Sequence, residues 1–525
     1  MKKRSNETSS QDTEQVKQLS SDIEATIRYA QETLGTGPDI LIRRVHLFEA
    51  SDAAVMSIAG ISDKTSVNLL IDSMLSEPRE QGALAREGDP FQALIYRTLA
   101  VGSIRKLETL DDIDIAMLEG YTVVLLDGYD RAIAVDTSGG ERRGVEEPST
   151  QTVVRGPKEG FTESISTNIS LLRTRIKSSN LRIEYKIIGR ETRTTIAIAY
   201  MKGISEEKVV TEIHRRLDAI DTDSILESGY IEEFIQEKKY SPFPIVQNSE
   251  RPDAIAAGLL EGQVAIMVDG TPFALLAPVT FVKFFQSSED YYQSYDIATF
   301  LRIIRFVSFI VSMLLPSLYI AITTFHQEML PTPLLISVAA QREGVPFPAI
   351  IEALLMELTF EILREAGVRM PRIIGPAISI VGALVIGQAA VQAGLISAAM
   401  VIVVSFTAIA SFVIPAVNMG TSARLIRFAM MILAGSFGVF GIMAGLMVLL
   451  THLSGLRSFG VPYLTPLSPL VKSNLKDVFI RVPWWAMNTR PSLFGKEPSR
   501  RQGQPQKQHE SESSGTSGTS EKEEE

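Results

Sequence analysis

Residues 306–324 read FVSFIVSMLLPSLYIAITT, nineteen positions without a charged side chain. As a helix rising 1.5 Å per residue, that stretch spans a hydrocarbon core about 30 Å thick. Arg302 and Arg305 stand just before it, with Tyr291, Tyr292 and Tyr295 further upstream. Such a basic and aromatic flank marks a helix entering a bilayer from the cytosolic side. The stretch divides the chain in two, because residues up to about 295 are rich in charge and 306–453 are mostly apolar. The fold class that follows is a soluble α+β N-terminal half followed by an α-helical polytopic membrane domain.

Downstream, Ile373 to Val417 carries no charge. That is too long for one crossing, and Ala393-Gly394 offers a turn, so two helices in a hairpin are expected. A last apolar run, Phe428 to Leu450, follows Arg424 and Arg427 and reads as one more crossing. Gly435, Gly438, Gly441 and Gly445 lie along one side of it, a stripe that lets helix backbones pack closely. Ala349 to Glu365, between Pro346, Pro348 and Pro371, is apolar but carries Glu357, Glu361, Arg364 and Glu365 on one face and Glu352 on the other. It lies at the membrane surface or crosses inside the bundle. With four crossings the basic tail (Arg457, Lys472, Lys476, Arg481) returns to the cytosol; with five it stays outside. The positive-inside rule favours the first, yet it then leaves Arg369, Arg372, Arg424 and Arg427 outside.

On the helix from Ile373 to Leu395, a rotation of 100° per residue puts Ala377, Val381, Leu384, Gln388, Val391 and Gln392 on one stripe. Gly375, Ser379, Gly382, Ala390 and Ala393 fall on the other. Apolar residues leading into two glutamines suit a pore wall with a hydrophobic constriction. A hydrogen bond from the glutamines to a neighbouring helix accounts for them equally well. The pore reading requires several copies around an axis. Glu357, Glu361 and Glu365 then suit an acidic vestibule that selects cations, or a solvated face cross-linked through Arg364.

The soluble half repeats itself. Gly60-Ile61-Ser62, Leu118-Glu119-Gly120 and Asp127-Gly128 recur as Gly203-Ile204-Ser205, Leu260-Glu261-Gly262 and Asp269-Gly270, at an offset near 142 residues. Around them, strands at Leu41 to Leu47 and Ala53 to Ile58 match Leu181 to Ile188 and Thr194 to Tyr200. A helix follows each pair, from Asp63 to Leu75 and from Glu206 to Ile220, and each copy closes with a hairpin over its Asp-Gly turn. The expected organisation is a polar, disordered N-terminus (1–37), a first subdomain (38–138), a linker (139–160), a duplicated second subdomain (161–290) and a membrane domain of four to six helices (291–455). A membrane-proximal segment (456–490) and a disordered tail (491–525) follow.

The net charge of −10 and the lack of a clustered basic patch argue against a nucleic-acid partner. With no cysteine, disulfides, thiolate catalysis and cysteine-ligated metals are excluded. The chain has no phosphate-binding loop, no GxGxxG and no HExxH, and its five histidines, including His46, His214 and His326, show no metal spacing. No catalytic site, cofactor or metal is expected. The first twenty residues are basic and then polar, without a signal's apolar core, so the soluble half is expected in the cytosol. A secondary transporter would need inverted repeats in the membrane half. A membrane-anchored scaffold without a pore is the other alternative.

Several strings carry a family resemblance: Val154-Arg155-Gly156-Pro157-Lys158 with Phe161, Tyr240-Ser241-Pro242-Phe243-Pro244 and Glu250-Arg251-Pro252-Asp253. Val345-Pro346-Phe347-Pro348, Leu363-Arg364-Glu365-Ala366-Gly367 and Ile386-Gly387-Gln388-Ala389-Ala390 belong with them. From about residue 40 to 485 the chain resembles the A subunit of GerA-type spore germinant receptors. The resemblance implies a protein of the inner membrane of the bacterial spore, working with a transporter-like B subunit and a lipoprotein C subunit. It also implies a response to small germinants, ion release on engagement, and self-assembly into an oligomeric channel. The germinant itself is not specified by these motifs.

Overall fold

The computed structural model describes residues 18–47, 51–75, 91–92, 94–95, 103–139, 147–148, 150–238, 240–369, 387–487 and 490. In its first part, α1 (Ile23–Leu34) precedes β1 (Ile40–Leu47), β2 (Ser51–Ile58), α2 (Lys64–Leu75), β3 (Ile104–Leu107), α3 (Leu110–Glu119), β4 (Tyr121–Leu126) and β5 (Ala132–Asp136). The strands form one antiparallel sheet in the order β1-β2-β4-β5-β3. Its central strands are apolar on both faces because both are covered. Ala54, Met56, Val123 and Leu125 pack towards α1 and α3, while Ala53, Val55, Val124 and Leu126 pack towards α2.

The second part runs α4 (Ile165–Arg175), β6 (Leu181–Ile188), β7 (Thr194–Met201), α5 (Glu207–Asp218), α6 (Ser228–Ile235), β8 (Gln247–Ser249), α7 (Pro252–Leu260), β9 (Val264–Val268) and β10 (Ala274–Ala277). Its sheet has the order β6-β7-β9-β10-β8, the first order again. The recurring strings occupy matching places. Gly60 and Gly203, Gly120 and Gly262, and Gly128 and Gly270 all adopt positive φ, between 82° and 98°, where only glycine sits without strain. Gly128 N–H donates to the Ser21 carbonyl as Gly270 N–H donates to that of Glu163. Asp127 and Asp269 each accept from the first N–H of a helix, at Ile23 and Ile165. Arg173 of α4 joins the two parts through Asp39, at 3.1 and 2.7 Å, with both side chains buried.

The helical half comprises α8 (Tyr295–Thr324), α9 (Thr332–Arg342), α10 (Ala349–Arg369), a short helical stretch at 387–392, α11 (Ala398–Phe412) and α12 (Val417–Ser454). Two of these, α8 and α12, are long and apolar enough to cross a membrane. The expectation that Phe428 to Leu450 forms one crossing is corrected, because α12 reverses at Gly438 (φ 60°, ψ −142°). Its first arm starts beside the soluble half, where Ser422 donates to the Pro242 carbonyl, and its second arm returns there, with His452 Nε2 2.9 Å from Ser241 Oγ. Gly438 lies at the far end against Phe325 and His326.

Ile350, near the start of α10, packs on Gly435 at that far end, while Arg364 and Val368 reach the near one. The helix at Ala349 to Glu365 therefore runs the length of the bundle, from its far end to its near one. Gly394 meets the Gly344 carbonyl, and Ser397 N–H donates to Glu352, so α11 also starts at the far end. Residues 456–487 fold back on the second sheet's side. Ser458 Oγ bridges Val279 N–H and the Ile245 carbonyl, and Tyr463 OH donates to the Pro244 carbonyl at 2.8 Å.

Candidate functional site

The helical half is built inside out relative to a water-soluble bundle. Its exposed positions are large and apolar at helical spacing: Phe300, Ile303, Val307 and Ile310 on α8, Ile351, Leu355, Leu358 and Ile362 on α10, Ile402, Phe406 and Ile409 on α11. Its interior holds charge. Glu357 of α10 and Arg427 of α12's first arm are fully buried and joined at 2.6 Å, and Arg427 also donates to the Ser312 carbonyl of α8 at 2.5 Å. One guanidinium thus fastens three helices. Glu357 Oε1 and Arg427 Nη2 have no partner among the described residues.

Towards the near end, Glu361 receives Arg424 at 2.8 Å and Arg364 at 3.3 Å, and Arg364 also donates to Ser411 of α11 at 2.8 Å. The three glutamates expected to share an acidic stripe therefore stand in three environments. Glu357 is sealed, Glu361 is neutralised by two arginines, and Glu365 is largely exposed beside Arg369 at 2.6 Å. The four glycines also divide their work. Gly435 admits Ile350, Gly438 makes the reversal, and Gly441 and Gly445 let the second arm lie against Leu433 and Met430 of the first.

Of the expected pore stripe, Ala377, Val381 and Leu384 lie outside the described residues. Gln388 and Gln392 are exposed and Val391 half-buried. Gly387 packs towards Val401, and Ala390 against the core of Met400 and Val404, so this stretch docks on α11 and turns its glutamines outward.

A second cluster ties the halves together. Arg302, fully buried, pairs with Asp290 at 2.8 Å and Asp477 at 2.7 Å, and Arg305 adds a 2.7 Å contact to Asp290. Tyr291 OH donates to Asp477 at 2.7 Å, and Trp484 Nε1 donates to the Tyr291 carbonyl. Burial pushes the Tyr291 phenol well above its ordinary range, so it stays a donor. Sequence reasoning took Arg302 as a membrane-boundary charge and missed its partner 175 residues away. No group of three or more acidic or histidine side chains among the described residues is placed to hold a metal.

Residues 28–493 match the family described as Bacillus/Clostridium GerA spore germination protein. The chain is 48% identical to spore germination protein KA of Bacillus subtilis (strain 168), over 93% of this chain and 90% of that protein. It is 39% identical to spore germination protein GerLA of Bacillus cereus, over 91% and 96% respectively. Among solved structures, the N-terminal domain of the A subunit of the Bacillus megaterium spore germinant receptor GerK3 matches at 34% identity with a TM-score of 0.41. That match covers 51% of this chain and 98% of that one. The family match spans both sheets, the ion-paired bundle and the folded-back segment, and the chain belongs to the GerA spore germination protein family.

Proposed function

We propose that this chain is the A subunit of a germinant receptor in the inner spore membrane, and that several copies assemble into an ion channel opened when the complex senses a small-molecule germinant. A transporter-like B subunit and a lipoprotein C subunit complete the complex. The observation that carries the channel reading is the outward exposure of Gln388 and Gln392 in a bundle whose large exposed side chains are mostly apolar. A carboxamide left against lipid is costly, so a polar lining or a second copy is its natural neighbour.

An apolar exterior around buried ion pairs supports a bundle that crosses the bilayer. Residue 369 is at the near end and residue 394 at the far end. Among the described residues, α8, α10, α11 and the two arms of α12 make five traverses. The soluble half and residues 456–487 then share the cytosolic side. We read the soluble half as one α+β unit used twice, supported by the repeated strand order and the matched glycine turns. The vestibule role is left to Glu365, which is largely exposed beside Arg369, since Glu357 is sealed and Glu361 is enclosed by two arginines.

The test is germination of spores lacking this chain across a panel of amino acids, sugars and nucleosides, with ion release recorded. Loss of the response to at least one germinant, restored by the intact chain, is expected. Unaltered responses to every germinant that wild-type spores answer would refute the assignment.

A further inference from the structure

Between the second sheet and the near ends of α10, α11 and α12 lies a cavity of about 500 Å³. Its wall includes Arg251, Arg364 and Arg424, the amides of Gln247 and Asn418, and the hydroxyls of Thr152, Ser287 and Ser288. Among the described residues lining it there is no aspartate or glutamate. Asp253 pairs with Arg251, Glu361 with Arg364 and Arg424, and Glu250 with Thr150, and none of the three acids is in that lining.

Two of the guanidiniums are incompletely used. Arg251 is 3% exposed and bonds Asp253 and the carbonyls of Gln151 and Pro157, yet its Nε–H has no partner among the described residues. The Nε–H of Arg364 is likewise buried and has no partner among the described residues. A buried donor without an acceptor is costly and calls for one. Three guanidiniums in one wall, beside hydroxyl and amide donors, fit the oxygens of a phosphate group.

We propose that this cavity binds a phosphate-bearing anion, supplied either by the headgroup of an anionic lipid or by free phosphate. The first source rests on the membrane reading above; the second does not. Val368 and Phe412 on the wall are apolar and exposed, which gives acyl chains a surface to follow out of the site.

The test uses the full chain. In one arm, protein purified in a neutral detergent from membranes containing phosphatidylglycerol is analysed for retained lipid by native mass spectrometry. In the other, lipid-stripped protein is equilibrated with radiolabelled orthophosphate. Asn418→Asp places a like charge in the wall without removing an arginine and suits the first turn of a helix, so it isolates binding from folding. Arg364→Gln is the companion variant.

Retained phosphatidylglycerol in wild type, depleted more than about tenfold in Asn418→Asp, supports the lipid source. Saturable orthophosphate binding lost in the same variant supports the free anion. Neither signal in folded protein, or equal signals in wild type and Asn418→Asp, overturns the site. Phosphate or lipid binding at the cavity, with every germinant response unaltered in spores lacking the chain, would refute the receptor reading alone.

Discussion

Met430 lies against Gly445, fifteen residues further along the same segment. A side-chain carbon on Gly445 would fall 2.7 Å from Met430 Sδ. In one straight helix these positions would be over 20 Å apart, so their contact requires the reversal at Gly438. Leucine at 445 has nowhere to go between the arms. Gly445→Leu is expected to lower the unfolding temperature of the detergent-solubilised chain, at an overpacking cost of about 1–3 kcal/mol, with Gly445→Ala far milder because the methionine end can shift. Gly438→Ala is expected to cost about 1–3 kcal/mol through backbone strain instead. A stability for Gly445→Leu equal to wild type would contradict the folded-back arm.

Glu357 and Arg427 are both sealed from solvent, so removing one partner strands the other's charge. Arg427→Met is expected to destabilise by about 3–5 kcal/mol. Combining it with Glu357→Leu should recover much of that loss, since two apolar side chains replace the pair. Thermal unfolding of the two single variants and the double variant measures the coupling, and strictly additive losses would argue against the contact.

Asp114 is buried on α3 near Tyr29, Asp111 and Arg182, and burial, with the Asp111 charge adding to it, pushes its carboxyl up to about 7. The folded chain keeps the acid neutral where the unfolded chain would ionise it. The group therefore costs nothing below about pH 4, and its penalty grows with rising pH and is complete above about 7. Asp114→Asn is expected to leave the unfolding temperature unchanged at pH 4 and to raise it at pH 8. The gain is on the order of 1–2 kcal/mol after solvent screening. The same shift at both pH values would refute the titration.

Arg302 holds the C-terminal segment through Asp477 and the end of the second sheet's domain through Asp290. Asp477→Ala should free residues 456–487 for limited proteolysis while the rest stays resistant. Asp290→Ala, which takes the carboxylate from buried Arg305 and leaves Arg302 with Asp477 alone, should destabilise the whole chain more. Equal protection of the segment in Asp477→Ala and wild type would refute the clasp.

The soluble half was largely legible because its landmarks are backbone requirements. Glycine at 60, 120 and 128 answers a positive φ that recurs at 203, 262 and 270, so turn chemistry fixed the strand ends. The edge strands β3 and β8 were missed because four and three residues carry no periodicity. The reversal at Gly438 hid inside an apolar run of ordinary spanning length, where every glycine suited a packing stripe. Helical spacing put Glu357, Glu361 and Glu365 on one face but said nothing of what faced them. Arg427 is 70 residues from Glu357, and Asp477 is further still from Arg302. Such partners are set by tertiary packing, which local pattern does not encode.

The pore proposed for this chain predicts an ion current of its own. Ion flux through purified, reconstituted oligomer measures it most directly, with wild type compared against Leu384→Ala and Gln388→Ala. Flux is expected in wild type and altered in at least one variant. No flux from an oligomer of verified integrity, or identical flux in all three, would contradict it.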